Sequence, residues 1–168
     1  MKTLLVITIT LLSILLMIWV GVVGYKHIIY NRECEGHLKR AADSNTIELA
    51  EKEIKTALKY LEQNNMTSGY TSILYQTPDE DITFWYSNLK QSLEELQKVT
   101  INTSQLERSN LLIKLRETLL DQGKDGANVT SPNGISRYPS NTLFAIWGWL
   151  SILGIFMCGI IIAVIVES

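Results

Sequence analysis

Two uncharged apolar runs, one near each end, constrain this 168-residue chain more than any other feature. The first is Leu4 to Gly24, LLVITITLLSILLMIWVGVVG, and the second is Leu143 to Val166, LFAIWGWLSILGIFMCGIIIAVIV. At a helical rise of about 1.5 Å per residue, each covers the roughly 30 Å hydrocarbon core of a bilayer. The expected architecture is an all-α membrane protein. Residues 1–24 form a first transmembrane helix and 143–166 a second, with one polar domain between them on a single side. A cleaved signal peptide is the alternative for the first run, since Lys2 precedes it and Val22 and Gly24 suit the small-residue rule for a cut before Tyr25. The apolar core of a signal peptide is roughly 7–15 residues, and this run is longer, which favours an uncleaved signal anchor.

Composition excludes more than it assigns. The net charge is −2, and Lys2 and Glu167 cancel outside the polar segment, so that segment is also −2 with both signs interspersed. A nucleic-acid partner needs a basic face, and none is present. Cys34 and Cys158 are the two cysteines, one beyond the first run and one inside the second, which is no disulfide framework. Within about 20 residues of the runs the polar side carries Lys26, Arg32, Lys39, Arg40, Lys124 and Arg137, against Lys2 on the other side. This bias leans toward a cytoplasmic domain and a plasma or inner membrane, although the rule weakens for long loops.

Residues 25–122 read as a long antiparallel helical hairpin, coiled-coil-like, with a turn near 65–78. In the first arm Ile47, Ala50, Ile54, Ala57 and Leu61 step by three and four, as one apolar helix face does. Gly36 is a possible interruption. The turn holds Asn64-Asn65 and Ser68-Gly69. Thr77-Pro78-Asp79-Glu80 then has the form of a capping box with proline at the first helical position. The second arm carries Ile82, Trp85, Leu89, Leu93, Leu96 and Val99, and a second capping box at Ser104–Glu107 marks a possible restart near 100–104. Leu106, Ile113 and Leu120 continue the heptad beat. Residues 123–142 read as a flexible linker, rich in glycine and proline.

Chemistry-bearing motifs are few. Cys34 and His37 share a helix face near Glu33 and His27, but two plausible ligands do not make a zinc site. Asp79, Glu80 and Asp81 lack a calcium-loop spacing, and a helix start explains them. No nucleophile–base pair or phosphate loop can be assembled, so the chain is expected to be no enzyme and to need no cofactor, and no small-molecule substrate is evident. The triplets Asn65-Met66-Thr67, Asn102-Thr103-Ser104 and Asn128-Val129-Thr130 match the glycosylation acceptor pattern, which matters only in a lumenal domain.

Three groups of side chains stand out. Tyr70, Tyr75, Phe84, Trp85 and Tyr86 surround the turn and form a candidate interaction tip. Trp19, Tyr25, Trp147 and Trp149 fall where the runs meet the polar segment and suit the headgroup level as interface anchors. Gly154 with Cys158 and Gly159 with Ala163 are small residues four apart, a pattern that lets spans pack closely. The expected function is a membrane-anchored coiled-coil scaffold or protein-interaction module. Its partner would be a second copy of itself or another membrane protein. The alternatives are a sensor-type helical ectodomain and a small pore or transporter subunit.

Overall fold

The computed structural model of the protein describes residues 2–74, 76–123 and 126–167. It is mostly helical (75%), consistent with the all-α class, and two helices are long and apolar enough to span a membrane. Helix α1 (Lys2–Tyr30) runs without a break through one π-helical turn (Asn31–Glu35) into α2 (Gly36–Ala42). No proline interrupts this stretch, which at about 1.5 Å per residue is roughly 60 Å long. The interruption expected at Gly36 is therefore a wide turn. The Gly36 N–H donates to the Asn31 carbonyl five residues back, and a β-carbon at Gly36 would lie 2.9 Å from that oxygen. The wide turn keeps Tyr30, Cys34, Leu38 and Ala41 on one buried stripe.

The single arm expected over 25–64 is instead two helices. Asp43, Ser44, Asn45 and Thr46 stop α2, because their short polar side chains compete for the backbone. The Ser44 hydroxyl donates to the Arg40 carbonyl, and Thr46 caps α3 (Ile47–Gln63) by accepting from Leu49 N–H at 3.3 Å. Helix α3 returns along α2. His37 meets Glu53, and the rings of Tyr30 and Tyr60 approach to 6.4 Å between centroids.

The second arm is broken as well. Helix α4 (Ile82–Gln97) starts one turn later than the capping box suggests. Thr77–Glu80 does form its reciprocal bonds, but it closes only a 3-10 turn at Pro78–Glu80. Asp81 is the cap of α4 and accepts from Phe84 N–H at 3.1 Å. Helix α4 runs antiparallel to α3, with Tyr86 donating to Glu62 and Gln97 to Glu51. A turn held by Arg108, which donates to the Thr100 and Thr103 carbonyls, leads into α5 (Gln105–Leu119), capped by Ser104 as its motif indicates.

Helices α2 to α5 thus alternate in direction and enclose one core, in which Leu38, Ile54, Leu61, Ile82, Leu89 and Leu119 are fully buried. At about 25 cal/mol per Å2 of apolar area removed from water, such side chains are the main stabilising contribution. The expected flexible linker also has structure. Strands β1 (Leu120–Gly123) and β2 (Gly126–Val129) pair antiparallel, and Ile135, in a 3-10 turn, is buried in the same core. Helix α6 (Asn141–Glu167) then lies beside α1. Gly148 and Gly154 face α1 so closely that a β-carbon would lie 2.9 Å from the Trp19 ring and 2.8 Å from Leu12.

Candidate functional site

The bundle has two ends, and the chain reversal at Asp43–Thr46 decides what each one holds. Because α2 leads away from α1 and α3 returns, the loop after α3 ends beside the apolar helices. The segment near 65–78, expected as the turn at the far tip of the hairpin, is therefore at the near end. Tyr138, three residues before α6, donates to the Ser68 carbonyl at 2.7 Å and closes over Gly69, whose φ of 94° no β-carbon would suit. The far end is formed by Asp43–Thr46 and the turn at 98–104.

The members of the expected aromatic tip differ in burial and in partners. Trp85 is buried, and its indole N–H donates to the Thr130 carbonyl at 2.7 Å, tying α4 to the segment after β2. Tyr86 spends its hydroxyl on Glu62, and burial together with that carboxylate pushes its pKa up to about 12. Tyr70 forms a bridge with Asp81, and Phe84 stands exposed on the outside of α4. Tyr75 lies outside the described residues. Tyr70, Phe84, Trp85 and Tyr86 all fall at the near end.

The expected interface anchors divide too. Trp19 donates its indole N–H to the Phe144 carbonyl at 2.7 Å, so it joins the two apolar helices. Tyr25 and Trp149 are exposed, as headgroup-level anchors would be, and Trp147 is half-buried. Of the expected packing pairs, Gly154 and Cys158 lie on the half-buried side of α6, while Gly159 and Ala163 face outward. Sequence reasoning missed Gly148 and Ser151, which are buried against α1. Their spacing of three to four residues from Phe144 and Gly154 is the one signal that could have found them.

Two polar arrangements lie in the bundle. Between α2 and α3, the Glu53 carboxylate lies 2.6 Å from His37 Nδ1 and 3.0 Å from Arg40 Nε. Burial alone would raise the Glu53 pKa, but the His37 hydrogen bond and the Arg40 charge together hold it below the usual carboxylate value. His37 therefore faces a carboxylate, while Cys34 is buried in the core. Among the described residues no group of three His, Cys, Asp or Glu could hold a metal ion.

The second arrangement is a groove of about 310 Å3 at the near end, between residues 71–74, the loop at 133–137 and the start of α6. Thr71, Glu80, Arg137 and Asn141 are polar groups in its lining, and Ile73, Leu74 and Ala145 are apolar ones. At the far end a wider groove of about 630 Å3 is lined by Ile47, Leu96, Val99, Ile101 and Arg108 among others. No known family model, no curated protein and no solved structure matches this chain.

Proposed function

We propose that this chain is a two-span membrane protein whose helical bundle is a non-enzymatic docking module for another copy of itself or for a second membrane protein. The observation that carries this reading is a row of unburied aliphatic side chains along the outward side of α5 and its preceding turn. Ile101 is 92% exposed, Leu106 72% and Ile113 56%. Leu106 and Ile113 are seven residues apart, the spacing of one seam position in a coiled coil. A partner helix laid along α5 would cover both and restore the coiled-coil character expected of the chain. Exposed large aliphatics that fall in one row favour an interface over scattered surface residues.

The test is photo-crosslinking in native membranes from a probe at Leu106, with Lys55 on the opposite helix α3 as control. One discrete crosslinked species from Leu106 and none from Lys55 is expected. A product of twice the chain mass identifies a second copy. Equal, diffuse labelling from both positions removes the reading.

A sensor-type function is the second reading. It is favoured by the unbroken helix from Lys2 to Ala42, a stiff rod through which a shift in the bundle would reach the membrane.

A further inference from the structure

The near-end groove combines features that the docking reading leaves unused. The Arg137 guanidinium has no ion pair or hydrogen bond among the described residues. Thr71 is 4% exposed, and among the described residues its hydroxyl has no partner, nor has the Asn141 side-chain oxygen. A buried hydroxyl without a partner costs about 1–3 kcal/mol, which marks this corner of the groove as polar and incompletely satisfied. Gly134 (φ 76°) forms the floor. A β-carbon there would lie 2.9 Å from Arg137 Nη2 and 3.5 Å from Asn141 Nδ2, so both side chains pack directly over the Gly134 backbone, and Asn141 donates to its carbonyl.

The groove's height relative to the spans fixes what can reach it. Lys26 Nζ lies 5.4 Å from the centre of the Phe144 ring, which sets the polar boundary of both apolar helices at about residue 26 of α1 and residue 144 of α6. Asn141 and Ala145 straddle that boundary, and both line the groove. On its rim Leu74 is 80% exposed and Ile73 45%, aliphatic side chains that line the same groove as Ala145 of α6. Glu80 is the one carboxylate in the lining.

We propose that this groove binds one glycerophospholipid with an amine headgroup. Arg137 and the start of α6 take the phosphate, Glu80 faces the ammonium, and Ile73, Leu74 and Ala145 lie along an acyl chain. The loop at 70–74 thereby becomes a third attachment of the bundle to the bilayer. The proposal rests on the two apolar helices spanning a membrane, and alkaline carbonate extraction tests that premise separately: a chain that stays in the pellet meets it.

The experiment is native mass spectrometry of the full chain in detergent micelles after incubation with phosphatidylethanolamine. One lipid is expected to remain bound, in preference to phosphatidylglycerol. Arg137→Gln should lower the retained fraction about tenfold or more, as loss of a charged hydrogen bond does. Leu74→Asp, at a position too exposed to matter for folding, should also abolish retention while helical content stays unchanged. Glu80→Gln should remove the preference between the two lipids. Retention by Arg137→Gln equal to wild type overturns the site. Equal retention of phosphatidylglycerol by the wild type overturns the headgroup assignment. Complete displacement of the lipid by millimolar inorganic phosphate overturns the lipid in favour of a free-phosphate site.

Discussion

At the residue scale the decisive groups are polar ones whose partners come from distant parts of the chain. Glu53 is the clearest. Its partners His37 and Arg40 hold its folded pKa below the unfolded value, so its contribution is present above the unfolded carboxylate pKa and is lost as pH falls through the lower folded value. Glu53→Gln should therefore cost about 2 kcal/mol at pH 7. That deficit relative to wild type should shrink toward zero at an acidic pH below the lowered folded value, where the wild-type carboxylate is itself protonated. Thermal melts of both proteins at the two pH values check this, and a deficit independent of pH would rule it out. Asp81 makes a second case. As the N-cap of α4 it should cost about 1 kcal/mol when changed to Ala, and Thr77→Ala should cost less, since Thr77 closes only a 3-10 turn. Equal effects would place the helix start back at Thr77.

At the scale of elements, the wide turn in the first helix and the three chain reversals govern the fold. Gly36→Ala would improve helix propensity by about 1 kcal/mol in an ordinary turn. Here the new methyl meets the Asn31 backbone oxygen, which cannot rotate away, so a lower melting temperature is expected. Gly24→Ala, with nothing within 4 Å, is the control and should be neutral or stabilising. The α3–α4 register predicts that cysteines at Glu51 and Gln97 crosslink within one chain, as their side chains already share a hydrogen bond. Failure of that pair and of its neighbours one turn away would mean the two helices do not lie in this register. Some of this was open to sequence reading. Four successive residues that prefer caps and turns, Asp43 to Thr46, are a break signal, but helix formers on both sides masked it. The restart at Ser104 was legible as a possibility, because Ser104 and Glu107 have capping-box spacing, and Ser104 does accept from Glu107 N–H.

For the whole molecule, the apolar helices pack through small residues on one side of α6 only. Gly148→Leu should drive α6 from α1 and break the Trp19–Phe144 hydrogen bond, whereas Gly159→Leu, which points into open space, should be silent. Detergent-resistant crosslinking between cysteines at Leu12 and Gly154 reports the difference, and equal loss in both variants would argue against the pairing. The basic residues beside the runs, Lys26, Arg32 and Arg137 among them, predict a cytoplasmic bundle. Protease outside intact cells should then leave the bundle whole, and cleavage there would reverse the orientation.

The sequence by itself determined the two apolar helices, the helical class of the segment between them and many of its buried positions. Those depend on local composition and on periods of three and four residues, which every window of the chain carries. Only the tertiary structure decided direction. One added reversal at Asp43–Thr46 turned the expected far tip into the end beside the spans. It brought Thr71 and Arg137 to the start of α6, while Trp85, read both as a seam residue of the second arm and as part of the tip, is buried in the core. The partners of Trp19, Glu53 and Trp85 are separated from them by 125, 16 and 45 residues. Such pairings cannot be read from periodicity, because they follow from where helices stop, and a helix stops where a few weak side-chain bonds outcompete the next backbone turn.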